Sequence, residues 1–566
     1  VSMPGRAPAG GVAPCSRRVM NLAYLLRQAA MRFPDETGFA WGDASWSWAE
    51  LDARVDAMCV VLRERGVVKG DRVLVQSKNC NQMFESMFAC FRLGAVWVPT
   101  NYRQTPEEVA YLAQASGASV MLCHADFSGH AETAMRDTPT LTSLIMIGSD
   151  DSQADYDDLV AAHLGQARPM ADVEQDDPCW YFFTSGTTGR PKAAVLTHGQ
   201  LGFVVTSHLC DLMPATTHRD AALVVAPLSH GAGIHQLVQT ARAAKTVLMT
   251  NERFDAEEAW RLVERWGITN LFTVPTILKL LVEHPAVDRY DHGSLRYVIY
   301  AGAPMYREDQ KRAIKALGPV LVQYYGLGEV TGNITVLPPE LHDETDDADA
   351  RIGTCGHVRT AMQLSIQDAE GRELEVNDIG EICVCGPAVF AGYYGDDAAN
   401  AKAFRNGWFR TGDLGYVDAE GFVYITGRSS DMFISGGSNV YPREIEEKIL
   451  QHPDIAEVAI VGVPDRVWGE VGVAACVPRD GRRLSEGELL AWMEGRVARY
   501  KLPKRVVFWD ALPKSAYGKT SKKLVYEALC ERGVLPSGGE QAAHPEPIGV
   551  AKARDGARGT SAVGAE

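Results

Sequence analysis

A chain of 566 residues exceeds what one hydrophobic core usually sustains, so several structural units in contact are expected. The composition, 46% hydrophobic and 23% charged, is that of a globular protein, and a formal charge of −16 argues against a nucleic-acid scaffold, which needs clustered Lys and Arg. No apolar run approaches the roughly 18 residues that span a bilayer, and the N-terminus lacks the apolar core of a secretory signal, which makes a cytoplasmic enzyme without a transmembrane segment the default.

Residues 1–18 are rich in Gly, Pro, Ala and Arg, and residues 1–20 are expected to be a disordered extension. An organelle-targeting arm is the alternative, since acidic residues are absent there. The first helix pattern starts at Asn21, with Leu22, Leu25, Leu26, Ala29 and Phe33 on one face. From there helix-period stretches alternate with short apolar runs, the signature of α/β architecture. Asp255 and Glu258 have capping-box spacing before the stripe Ala259, Leu262, Val263 and Trp266, and residues 270–274 read as the next strand.

Three strand-like runs end in unusual clusters. Residues 222–226 precede Pro227-Leu228-Ser229-His230, residues 295–300 precede Ala301-Gly302-Ala303-Pro304, and residues 320–324 precede Tyr325-Gly326-Leu327-Gly328-Glu329. Ligands of open α/β sheets bind at strand C-termini, so the three endings are expected to share one small-molecule rim, although each alone could be a mere glycine turn. Small residues here (Gly231, Ala232, Gly233, Gly326, Gly328) are expected to leave room for a sizeable acyl or aryl group unless other segments fill it.

Twelve Cys are present, and the close pair Cys383 and Cys385 has one intervening residue rather than a metal-type gap of two, so reduced, mostly buried thiols are expected. The character changes near residues 427–431. Residues 458–463 and 471–477 read as paired strands, Ser485 with Glu488 opens a helix expected to run to Arg499, and together they form a smaller α+β unit. Residues 536–566 carry few large apolar side chains and are expected to be a disordered tail.

The most specific stretch is Thr184-Ser185-Gly186-Thr187-Thr188-Gly189-Arg190-Pro191-Lys192, preceded by the apolar run 180–183. Glycines let backbone N–H groups approach phosphate oxygens, hydroxyls add donors, and Arg190 and Lys192 oppose negative charge, which makes the loop a polyphosphate cradle. It is not a Walker A loop, because Pro191 stands where that motif needs Gly before Lys; Gly518-Lys519-Thr520 fails too, since Pro513 replaces the leading Gly.

In this order of motifs the chain resembles the adenylate-forming superfamily of acyl-CoA synthetases, carrier-protein adenylation domains and firefly-type luciferases, over residues 21–523. The resemblance implies a large N-terminal multi-subdomain α/β unit, residues 21–428, with a small mobile α+β C-terminal domain, residues 429–535. It implies ATP, Mg²⁺ and coenzyme A, with residues 184–192 holding the β- and γ-phosphates. Gly302, Ala303, Pro304 and Tyr325 would lie beside adenine, and Glu329 would help hold Mg²⁺. Asp413, in Trp408-Phe409-Arg410-Thr411-Gly412-Asp413, would bind the ribose hydroxyls, with Arg428 as a second contact. Gly436 and Gly437, in Gly436-Gly437-Ser438-Asn439-Val440-Tyr441-Pro442, would border the pantetheine tunnel, and Lys519, in the closing motif 513–519, would be the catalytic ammonium. His230 would border the acyl carboxylate.

Two departures stand out. Gly328 occupies the place of a usual Thr, leaving Thr331 or water to supply the lost hydroxyl, and Ser430 stands where the hinge is commonly Asp or Lys. The implied activity is ATP-dependent ligation of a fatty or aryl carboxylic acid to CoA through acyl-AMP. A carrier-protein-loading enzyme, a luciferase-like oxygenase and a nucleotide-binding protein that has lost catalysis are the alternatives, and a homodimer is left open.

Overall fold

Among the residues described by the computed structural model, which are 19–535 less 149–154, 185–189, 252–253, 304, 348–349, 436–437 and 515–519, the strands form four sheets. The expected extensions at residues 1–20 and 536–566 lie outside the described residues, apart from Val19 and Met20.

Two sheets are built mainly of parallel strands. The nine-stranded sheet has six parallel strands at its centre, in the spatial order Leu321–Tyr325, Tyr297–Tyr300, Asn270–Thr273, Ala221–Val224, Lys245–Leu248 and Thr37–Trp41, with antiparallel strands at both edges. The six-stranded sheet runs Ser143–Ile147, Val120–His124, Arg72–Gln76, Val96–Pro99, Pro178–Thr184, Lys192–Thr197, and only the last strand is antiparallel to its neighbour. The strands expected around the three clusters and before the Thr184 loop appear within a residue or two of their expected ends.

Alternation along each strand sets the layers, because successive side chains point to opposite faces. Ile299 and Val322 enter the same central core as Val73, Val75, Val120 and Leu122 of the other sheet. Their neighbours Val298, Tyr300 and Leu321 pack outward against helices Ala256–Trp266, Pro275–Glu283 and Arg307–Leu317, while Leu74, Met121 and Cys123 pack outward against Pro106–Ser116 and Ser128–Asp137. The central core also takes Leu25 and Leu26, Val55 and Met58, Phe84 and Phe88, Leu201 and Val204, and Leu237 and Val238 from five helices. The result is five layers, helix on sheet on helix on sheet on helix.

The capping box expected at Asp255 is only half present. Asp255 accepts from the backbone of Glu257 and Glu258, but the Glu258 carboxylate is taken by the preceding loop, accepting from Thr250 N at 2.8 Å and Asn251 N at 3.2 Å. Full capping boxes form instead at Ser47 with Glu50 and at Thr105 with Glu108.

A third, antiparallel sheet holds Gln363–Gln367, Gly380–Cys385, Trp408–Val417, Phe404–Arg405 and Val423–Arg428. The chain leaves it at Arg428 and enters the fourth sheet at Phe433. There Ile455–Asp465 and Gly469–Pro478 form a long antiparallel pair, as expected, covered by Pro442–Leu450 and Glu486–Met493 on one face and Lys522–Glu531 on the other. Ser485 and Glu488 make the expected capping box, but the helix stops at Met493 rather than Arg499, as the chain turns through Gly495 at φ +76°. Described cysteines are free thiols, most of them buried, and burial pushes Cys80 and Cys355 up to about 11. No described helix is long and apolar enough to cross a membrane.

The central helix layer contains a buried charge network. Arg92, with no solvent exposure, reaches Asp52 at 2.5 Å and Asp56 at 2.6 Å, and half-buried Arg27 caps the same two carboxylates from outside. Removing the inner partner strands buried charge, whereas removing the outer one leaves it paired. Arg92→Leu is expected to destabilise the large unit by about 3–5 kcal/mol, against under about 1 kcal/mol for Arg27→Ala, measured by scanning calorimetry of the whole chain.

Candidate active site

Because the central strands of the nine-stranded sheet are parallel, their C-termini open on one rim. A cavity of about 3360 Å³ lies there, lined by Pro227 and His230 after the first strand, by Ala301, Gly302 and Ala303 after the second, and by residues 324–329 at the third. Its other walls come from Phe182, Thr184 and Lys192 of the six-stranded sheet, Asp413 and Arg428 of the third sheet, and Ser438, Lys514 and Thr520 of the small unit. The three clusters singled out in sequence thus face one space.

Glu329 sits in the single turn Gly328–Val330 and is 6% exposed. Its Oε1 accepts from Thr184 Oγ1 at 3.0 Å and from Tyr393 OH at 2.9 Å, so three distant stretches meet on one oxygen. Burial and the adjoining carboxylate push the Tyr393 hydroxyl well above its usual range, keeping it a donor. Lys192 Nζ lies 5.3 Å from the Tyr393 ring centre and 3.9 Å from Asp396.

Among the described residues no hydrogen bond reaches Glu329 Oε2, which leaves that oxygen for a hard cation. No group of three or more His, Cys, Asp or Glu suited to a metal occurs among them. A Mg²⁺ ion, which takes one or two carboxylates and completes its shell with phosphate and water, fits this donor set; a calcium-type cage does not.

Asp413 occupies the middle of Trp408–Val417. Tyr325 OH donates to its Oδ2 at 2.6 Å and Arg428 Nε to its Oδ1 at 3.1 Å. Burial raises the carboxyl above the ordinary Asp value, against the opposing pull of Arg428. Gly302 adopts φ +84° between Ala301 and Ala303, a conformation that favours glycine. His230 begins helix Gly231–Arg242, its ring edge-on to Phe182 with centroids 5.2 Å apart and its Nδ1 3.0 Å from Ser229 Oγ.

Ser430 is exposed in the short link between the third and fourth sheets and donates to Asp431 at 3.1 Å, while Ser429 holds to Gly412 O. Ser185, Gly186, Thr187, Thr188, Gly189, Pro304, Gly436, Gly437 and Lys519 lie outside the described residues. Their described flanks do line the cavity: Thr184 and Lys192, Ser438, and Lys514 and Thr520, which pair as an isolated antiparallel bridge.

Gly231, Gly326 and Gly328 line the cavity, but at each of them, and at Gly233, the place a side chain would take is already occupied. A Cβ at Gly231 would stand 2.7 Å from the Phe272 ring, at Gly233 2.1 Å from the Leu228 carbonyl oxygen, at Gly326 2.5 Å from the Gly332 backbone, and at Gly328 2.7 Å from the Phe182 ring, so neighbours already fill the room. Thr331 lines the cavity, with its hydroxyl donating to the Val330 carbonyl at 2.7 Å. Tyr393 and Asp396 escaped the sequence reading, since the segment around them carries no polar spacing that sets them apart from an ordinary loop.

Comparison with known proteins agrees with this geometry. The family model described as AMP-binding enzyme matches residues 26–394, and that of the AMP-binding enzyme C-terminal domain matches residues 444–519. The chain is 35% identical to feruloyl-CoA synthase of Amycolatopsis sp over 500 residues, covering 88% of this chain and 97% of that protein. It is 34% identical to indoleacetate–CoA ligase of Aromatoleum aromaticum over 514 residues, covering 91% and 99%. ATP-bound MatB of Rhodopseudomonas palustris superposes with a TM-score of 0.80 at 30% identity, covering 90% of this chain and 99% of that one.

A protonated Asp413 contributes stability below the ordinary carboxylate pKa of about 3.9, and that contribution is lost as pH rises through the group's raised value. Asp413→Asn removes the ionisation and keeps an oxygen for Tyr325. Its melting temperature is expected to exceed that of the parent at pH 7–8 and to converge on it as the pH falls toward about 4, in a thermal-denaturation series without nucleotide.

Proposed function

This chain belongs to the AMP-binding enzyme family, and from that premise we propose how its one cavity carries two half-reactions. It is an ATP-dependent, AMP-forming acid–CoA ligase. The observation that carries the reading is the meeting of His230, Tyr325 with Glu329, and Asp413, from three separate stretches of the chain, around one cavity.

In the first half-reaction residues 184–192, with Thr184, Ser185, Gly186, Thr187, Thr188, Gly189 and Lys192, hold the β- and γ-phosphates. Gly302, Ala303, Pro304 and Tyr325 flank adenine, and Asp413 and Arg428 take the ribose. The fit of a purine there is supported by the side-chain-free Gly302 and the Tyr325 ring, which both line the cavity, and the fit of a diol by the Asp413 carboxylate, which lines it too. Glu329 would hold a Mg²⁺ ion, whose positive charge would oppose that of the phosphates. His230 borders the acid, one of whose oxygens attacks the α-phosphorus as the bond to pyrophosphate breaks. The Lys519 ammonium neutralises charge building on that phosphorus.

In the second half-reaction the unit 429–535 turns about Ser430, withdraws Lys519 and brings Gly436 and Gly437 beside the site. The sulfur of CoA then attacks the acyl carbonyl and AMP leaves. The turn is supported by the short exposed link between Arg428 and Phe433, which joins two sheets with separate cores. The acid is of the fatty or aryl class, and the acceptor is free CoA rather than a carrier protein.

Pyrophosphate exchange and AMP release across short, long and aromatic acids test the reading, with free CoA compared against a holo carrier protein as acceptor. No exchange with any acid would mark a protein without catalysis, and transfer only to the carrier would reassign the acceptor. Lys519→Ala is expected to slow acyl-AMP formation by about 10²–10³-fold or more yet to leave thiolysis of supplied acyl-AMP within about threefold. Equal loss in both assays would refute the division of labour.

A further inference from the structure

One face of strand Pro178–Thr184 touches every element that carries the acid-side chemistry. Trp180, Phe182 and Thr184 alternate onto the same side. Thr184 donates to Glu329. Phe182 meets the His230 ring edge-on at 5.2 Å and 71°, and its own ring lies 6.0 Å from that of Trp180. Trp180 in turn presses on Gly233, where a Cβ would come within 2.8 Å of its ring, in the helix that His230 opens.

Gly328 completes the contact. A Cβ there would stand 2.7 and 2.8 Å from two Phe182 ring atoms and 3.1 Å from the Thr184 methyl. Its backbone does not occupy the left-handed region, so nothing in its conformation calls for glycine. The aromatic ring does. A ring held on one side by His230 and Trp180 and on the other by a bare Cα has little freedom to shift, because close-packed neighbours transmit rather than absorb a displacement.

We propose that Phe182 is the positioning residue that sets His230 relative to Glu329, and that glycine at position 328 is its steric counterpart. The functional half of this inference rests on the reading of His230 as the residue beside the acid. The missing hydroxyl at position 328 is thereby exchanged for an aromatic wall between the acid subsite and the metal-side carboxylate, and the two positions are interlocked. A side chain at 328 cannot be accommodated while the ring stays, and loss of the ring removes the aromatic contact to His230.

A double-mutant cycle tests this on the full chain with Phe182→Ala, Gly328→Thr and the pair together, read by acid-dependent pyrophosphate exchange and by melting temperature. Gly328→Thr is expected to lower kcat/KM for the acid at least about tenfold and to lower the melting temperature. Phe182→Ala is expected to raise KM for the acid about tenfold while KM for ATP moves less than about twofold, a split that general loss of structure would not give. The pair should recover most of the Gly328→Thr loss in both readouts, and Phe182→Leu, which keeps apolar bulk, should fall between parent and Phe182→Ala.

Tolerance of Gly328→Thr beside an intact Phe182, or simple multiplication of the two losses in the pair, would overturn the interlock. Equal movement of both KM values in Phe182→Ala would overturn the positioning role. If the parent exchanges pyrophosphate with no acid, the functional reading and the positioning role fall together, while the melting-temperature cycle still decides the interlock.

Discussion

A buried carboxylate must find donors, and the way Glu329 finds them organises the site. Its Oε1 draws Thr184 from the six-stranded sheet and Tyr393 from the segment between Gly380–Cys385 and Phe404–Arg405 of the third sheet, while the residue itself follows the end of a strand in the nine-stranded sheet. An acid left unpaired at this depth would be neutralised or expelled. Both donors meet it on one oxygen, and among the described residues no hydrogen bond reaches the other. The five-layer core holds the two sheets at a fixed distance through their shared helices, so the three partners cannot drift apart without opening the central cluster.

Asp413 repeats the logic with a different balance. Tyr325 and Arg428 each serve one of its oxygens, yet burial still outweighs them and the group sits above its ordinary value. Such a carboxylate is not there for stability. Its placement makes sense if further donors arrive with a ligand, which is what a pair of ribose hydroxyls provides. The cost of holding it ready is met by the large apolar core, in which Arg92 shows how the same chemistry looks when it is purely structural: both acids are saturated with cations and nothing faces a cavity.

Much of this was legible in the chain. Alternation and strand-ending clusters located the parallel strands and their shared rim, because Gly and polar residues at strand C-termini can face only one edge of an open sheet. The capping box at Ser485 marked a true helix start, whereas that at Asp255 was half illusory, since spacing cannot show that Thr250 and Asn251 fold back onto Glu258. The Ser485 helix ends at Met493, short of Arg499, because the chain turns at Gly495 with a positive φ that hydrophobic spacing does not encode. Tyr393 was invisible for a related reason: its partner lies 64 residues away, and no local period encodes that meeting.

The glycines teach the sharper lesson. In the sequence a run of small residues beside a site reads as empty volume, but volume belongs to the packed set rather than to the residue. Gly231, Gly233, Gly326 and Gly328 each leave out a Cβ that a ring or a backbone from another segment would strike. The departure at position 328 therefore has to be judged with its neighbour, not against a family pattern alone. Phe182 lies on a strand of the six-stranded sheet and Gly328 in a turn after a strand of the nine-stranded sheet, far apart in the chain, and each substitution would look damaging without the other. Taken together they leave Glu329 bonded to Thr184 and hold His230 against an aromatic edge. On the proposed reading a lost hydroxyl is then no sign of decay, because the same wall that excludes it sets His230, beside the acid, against Glu329, on the metal side.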